Sequence, residues 1–140
     1  MLYNFRDAAG LNKKGAPEMI GWDAPDSNLR GHTTGHYLSG LALCYRATGS
    51  PVIREKAEYM VHALRECQTA LHEKKGCHKG FLSGYGEEQF DRLEQLVRYP
   101  EIWAPYYTLH KILAGLLDCY EFAGCDEALT IAGDLGDWVY

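Results

Sequence analysis

A chain of 140 residues, 46% hydrophobic and 24% charged, has room for one modest globular core, roughly a single domain. Its net charge of −5, with 14 basic residues scattered against 19 acidic ones, excludes the basic stripe that follows nucleic-acid phosphates. No apolar run approaches the roughly 20 residues that cross a bilayer, and Met1-Leu2-Tyr3-Asn4-Phe5-Arg6 lacks the charged-then-apolar layout of a signal peptide. A cytoplasmic protein with neither nucleic-acid nor membrane partners is therefore expected.

The first helix is predicted from about Thr34 to Ala47, with Gly49 as its stop. It opens on Arg30-Gly31-His32-Thr33-Thr34-Gly35-His36-Tyr37, where His32 and His36 stand about one helical turn apart and so project from one face. Ser50-Pro51 offers an N-cap and a first-turn proline for a second helix, whose Ile53, Ala57, Met60, Leu64 and Cys67 form an amphipathic stripe. The link from Gln68 to Trp103 is long for a helical bundle. It reads as a solvated connection by default, one able to arch over a pocket mouth, with a short helical stretch over Glu87–Glu94. A third helix starts near Pro105 with Leu109, Ile112, Leu113, Leu116, Leu117 and Tyr120, and ends at Gly124. Asp126 is expected to cap a fourth, carrying Ala128, Ile131, Ala132, Leu135, Trp138 and Val139.

These are two helical hairpins that repeat. Cys44-Tyr45 matches Cys119-Tyr120 at an offset of 75, and the same offset pairs Gly40-Leu41 with Gly115-Leu116 and Ala57 with Ala132. In each pair the first helix is apolar nearly all round and the second has a charged face, which makes the first interior and the second exterior. Alternating inner and outer helices imply a toroid or solenoid of αα-hairpins, which two hairpins cannot close. The last residues, Gly136-Asp137-Trp138-Val139-Tyr140, lie within the periodic pattern and carry no helix stop, so the chain reads as the N-terminal part of a larger barrel.

Five cysteines make an odd count. Cys44, Cys67 and Cys119 fall on apolar helix positions, only Cys77 looks exposed, and no CxxC spacing supports a zinc site. A disulfide framework is not expected, and a reducing compartment fits.

The polar residues that stand out are few. His32 and His36 have the spacing of two metal ligands on a helix. No glutamate adjoins the first, however, and no third ligand is near, so a histidine bonding backbone groups or a polar ligand is the stronger reading. His110 lies inside an apolar helix face, where a satisfied core histidine is the ordinary outcome. Tyr106 and Tyr107 at the same helix mouth set a ligand contact level with it. Among the carboxylates, Glu87, Glu88, Asp91 and Glu94 read as a solvated face, and Asp23 or Asp26 as the partner of Arg30.

Several blocks resemble, in order, the N-terminal region of the β-L-arabinofuranosidase family (glycoside hydrolase families 127 and 146). They are Tyr3-Asn4-Phe5-Arg6 with Ala9-Gly10-Leu11, Gly21-Trp22-Asp23, Leu29 to Ser39, Phe81-Leu82-Ser83, Phe90 to Glu94, and Trp103-Ala104-Pro105-Tyr106-Tyr107-Thr108-Leu109-His110-Lys111. The blocks span essentially the whole chain. The resemblance implies an all-α (α/α)6-barrel catalytic domain, of which residues 1–140 would be a partial, N-terminal portion of two inner/outer hairpins. It implies a retaining hydrolase whose substrate is an arabinose-containing oligosaccharide or glycoside. That family uses a cysteine thiolate beside a zinc ion, which lowers the thiol pKa, with a glutamate as acid/base. These groups belong to the later part of the barrel and none maps onto this sequence. Zinc is thus expected in the full-length family with its ligands outside the segment, no catalytic residue is assigned here, and the segment alone is expected to be inactive. Its contribution would be a sugar-binding wall of His110, His32 and His36, with Tyr107 and Trp22 beside them.

Two other readings stay open on the sequence: a helical-repeat module binding carbohydrate or protein, and another (α/α)-barrel carbohydrate enzyme such as a lyase or epimerase. Exposed inner-helix surface on two hairpins is expected to favour self-association.

Overall fold

The computed structural model describes residues 1–140, which are helical with no strand. Six α-helices follow in order: α1 (Tyr3–Ala8), α2 (His32–Thr48), α3 (Pro51–Lys75), α4 (Glu88–Glu94), α5 (Pro105–Ala123) and α6 (Asp126–Val139). A 3-10 turn over Gly21–Asp23 precedes α2. The four long helices stand where the periodicity puts them; α1 was not anticipated, because six residues carry too short a period to read.

Glycine ends the inner helices. Gly49 and Gly124 adopt φ of 65° and 67°, and their N–H groups donate back to Tyr45 O and Tyr120 O. The expected side-chain caps are absent. Ser50 occupies the cap position of α3 without a capping bond, and Asp126 is the first residue of α6, behind Cys125. Pro51 removes one N–H that would need a cap, while Asp126 and Glu127 meet the positive end of the α6 dipole through their charge.

α2 and α5 run against each other as an inner pair, α3 backs α2, and α6 backs both α5 and α3. Ala57, Met60, Leu64 and Cys67 of α3 and Ala128, Ile131, Ala132 and Leu135 of α6 turn into a core shared with Leu38, Ile112 and Leu116. The inner pair meets backbone to backbone because glycines stand at the crossing. A β-carbon on Gly35 would overlap the Lys111 carbonyl and lie 2.7 Å from Ile112 N; one on Gly115 would overlap the Gly35 carbonyl and lie 2.8 Å from Leu38 Cβ. The architecture is all-α, two inner/outer hairpins of the kind that build an (α/α)6 barrel.

Three expectations need correction. The inner helices are buried on one side only: α2 exposes His36, Gly40, Leu43 and Cys44, and α5 exposes His110, Leu117 and Tyr120, because no further hairpin flanks them. Cys44 is therefore exposed and Cys77 half-buried, the reverse of the sequence reading, whereas Cys67 and Cys119 are buried as expected. The connection between hairpins is no solvated loop, since Phe81, Leu82, Ser83 and Tyr85 are buried. Gln68 holds it in place, its Nε2 donating to Gly80 O at 2.8 Å and Ile131 O at 3.2 Å.

Candidate functional site

The mouth of α2 is organised by Asp23, which the 3-10 turn carries into a buried position, 4% exposed. Its Oδ1 accepts the Gly31 N–H at 2.7 Å, its Oδ2 accepts the Thr33 hydroxyl, and its main-chain carbonyl accepts Asn4 Nδ2 at 2.8 Å. Gly31 is required twice over: its φ is 103°, and a β-carbon there would press on Phe5 at 3.2 Å. His32 follows, with Nδ1 at 2.9 Å from Leu29 O and 3.1 Å from Asp23 Oδ2. The expected Asp–Arg pair does not form. Arg30 donates instead to Ser27 O at 2.7 Å and Gly84 O at 3.0 Å, with its guanidinium over the Tyr85 ring, and burial lowers its pKa.

Around His32 the aromatic side chains gather. Its ring centroid lies 6.3 Å from Trp22, 6.0 Å from His36 and 6.2 Å from Tyr107. Trp22 meets Trp103 edge-on at 5.9 Å, and Trp103 meets Tyr99 at the same distance. Lys111 Nζ stands 5.0 Å over the Tyr107 ring. Trp22, Trp103 and Tyr107 remain 65%, 41% and 42% exposed, so the group forms an open wall rather than an enclosed cavity. The structure thus brings together Trp22, His32, His36 and Tyr107. His110 is one turn beyond Tyr107 on α5, exposed and outside the ring contacts; it is not a core histidine.

Sequence reasoning missed Tyr99 and Trp103 as members of the wall, and Asp23 as the partner of His32. Trp103 could have been found from its place just before the Pro105 helix start. No spacing rule joins Asp23 to His32, because the loop between them decides the contact.

The acidic helix α4 is more than a solvated face. Glu87, just before it, accepts Trp138 Nε1 at 2.7 Å and the His78 N–H at 2.9 Å, and Glu94 accepts the Tyr106 hydroxyl at 3.0 Å. These bonds fasten the long connection to α6 and α5. No three His, Cys, Asp or Glu side chains of residues 1–140 converge to hold a metal ion. Burial pushes the Cys67 and Cys119 thiols up to about 12, far from the thiolate that a nucleophile requires.

Inner and outer helices with an aromatic and imidazole wall at one end define an all-α protein of αα-hairpins. The sequence profile described as beta-L-arabinofuranosidase, GH127 catalytic domain, matches residues 1–140. The chain belongs to that family, a family of glycoside hydrolases acting on carbohydrate. Comparison with curated protein sequences gives no match.

Proposed function

We propose that this chain supplies part of the sugar-binding wall of a retaining β-L-arabinofuranoside hydrolase, with nucleophile, acid/base and zinc ligands all borne outside residues 1–140. The observation that carries the reading is the gathering of Trp22, His32, His36, Tyr107 and Trp103 on one open face at the mouths of the two inner helices. Aromatic faces cover the C–H side of a sugar ring, and imidazole and phenol groups bond its hydroxyls. His110, exposed one turn along the same helix, extends the wall toward the bare flank of α5. Burial raises the thiol pKa values of Cys67, Cys77, Cys119 and Cys125, which makes each of these four a poor thiolate nucleophile. Residues 1–140 would form one part of a larger barrel, and the uncovered flanks of α2 and α5 would receive further hairpins or, in their absence, other copies of the chain. Free thiols suit a reducing, cytoplasmic setting.

Two measurements test this. The 140-residue chain should not hydrolyse aryl β-L-arabinofuranosides with or without added zinc; turnover above a protein-free control would refute the reading. In a full-length enzyme, His110→Ala should lower turnover by at least about ten-fold, the scale of one lost hydrogen bond. Its melting temperature should barely move, as befits an exposed side chain.

A further inference from the structure

We infer that His32 reads a substrate hydroxyl as a hydrogen-bond acceptor, and that Asp23 and the Leu29 carbonyl are the positioning groups that fix its tautomer. This rests on the sugar-wall reading. Nδ1 of His32 faces only oxygen acceptors, Leu29 O at 2.9 Å and Asp23 Oδ2 at 3.1 Å. A bare nitrogen there would set lone pair against lone pair, so the proton of the neutral ring resides on Nδ1 and Nε2 is left with its lone pair free. The one group near Nε2 is the Thr33 hydroxyl at 3.4 Å, and its proton is already given to Asp23 Oδ2. His32 is only 9% exposed, and its Nε2 has no good donor among its neighbours. Such a group costs free energy until a donor arrives. It stands beside Trp22 and Tyr107, where a sugar ring laid on those faces would bring a hydroxyl to it. A site built this way rejects a ligand that lacks the hydroxyl.

Asp23 also ties down Gly31 and Thr33, so its role must be separated from support of the helix start. Long-range 1H–15N spectra of the parent chain should place the proton on Nδ1; an Nε2–H tautomer would overturn the inference. His32→Asn keeps an amide donor at the Nδ1 position and removes the Nε2 acceptor. It should melt like the parent but bind methyl β-L-arabinofuranoside about ten-fold more weakly in an NMR titration. His32→Gln, whose amide oxygen reaches toward the Nε2 position, should recover part of that loss. Asp23→Asn still accepts from Gly31 N–H but turns an amide toward His32, and should yield a mixture of tautomers; an unchanged tautomer would remove Asp23 from the positioning pair. Equal binding by His32→Asn and the parent would end the inference while leaving the wall intact. A parent that ignores the sugar, with its tautomer as described, would instead refute the wall and the hydroxyl contact with it.

Discussion

Gly40 and Gly115 hold the same place in the two hairpins, yet a β-carbon on Gly40 would meet nothing within 4 Å, whereas one on Gly115 would collide with the Gly35 carbonyl. Cys44 and Cys119 differ in the same sense: the first is exposed, and the second is buried with Sγ 3.7 Å from Leu38 O. The contrast runs the other way on the opposite flank. Gly35, Leu38 and Ala42 of α2 are buried, while their counterparts His110, Leu113 and Leu117 of α5 are exposed or half-covered. Each inner helix therefore has two flanks of different character, and the single α2–α5 junction joins one of each. The hairpins stack head to tail, leaving an α2-type socket bare at one end and an α5-type edge bare at the other. A junction of this kind repeats until it closes on itself or is capped.

The contrast can be broken at the crossing. Gly115→Val should cost on the order of 3 kcal/mol in chemical denaturation, since the backbones must part to admit it. A loss under about 0.5 kcal/mol, the ordinary surface value, would mean that the two helices do not cross there. The cysteine pair sharpens it through pH. At pH values below the ordinary thiol value of 9.0, Cys119 is protonated whether folded or unfolded and adds no pH dependence. From there toward about 12 the unfolded chain releases a proton that the folded chain keeps, so stability falls by up to about 1.4 kcal/mol per pH unit. Cys119→Ala should remove its own share of that alkaline slope while Cys67 keeps a like share, and Cys44 should react with a maleimide while Cys119 stays protected until unfolding. Equal labelling of the two would erase the asymmetry. The bare flanks predict association: sedimentation should show oligomers that Leu117→Lys disperses, and a parent that is cleanly monomeric would count against two uncovered flanks. Smallest of all, Gly40→Ala should stabilise by about 0.5–1 kcal/mol, the helix preference for alanine in open space.

The four long helices and their inner or outer character were legible because a hydrophobic period, a glycine stop and an internal repeat agreed with one another. The flanks were not. Periodicity reports that Leu43 and Leu117 are apolar, but whether a neighbour covers them depends on how many hairpins stand beside them. The connection around Phe81 and Tyr85 misled for a related reason: its glycines look like loop, while its burial comes from contacts made far away in sequence. At the candidate site, His32, His36 and Tyr107 stand out by residue type and placement at helix mouths and Trp22 through the resemblance, and their rings lie together in the fold. A charge argument assigns Asp23 to Arg30 and overlooks the free N–H groups at the start of α2, one of which it accepts.

One small clamp has a wider consequence. Asn28 sends both protons of its amide to the far end of the connection, to Pro100 O at 3.0 Å and Glu101 O at 2.8 Å. Trp103 follows two residues later, so the bank that carries Tyr99 and Trp103 is fastened to the bank that carries Trp22 and His32. Two hydrogen bonds couple the banks, and the sugar ring of the proposed function would meet a surface already arranged between them. Less disorder would then be surrendered on binding, and affinity would rise without a single added contact.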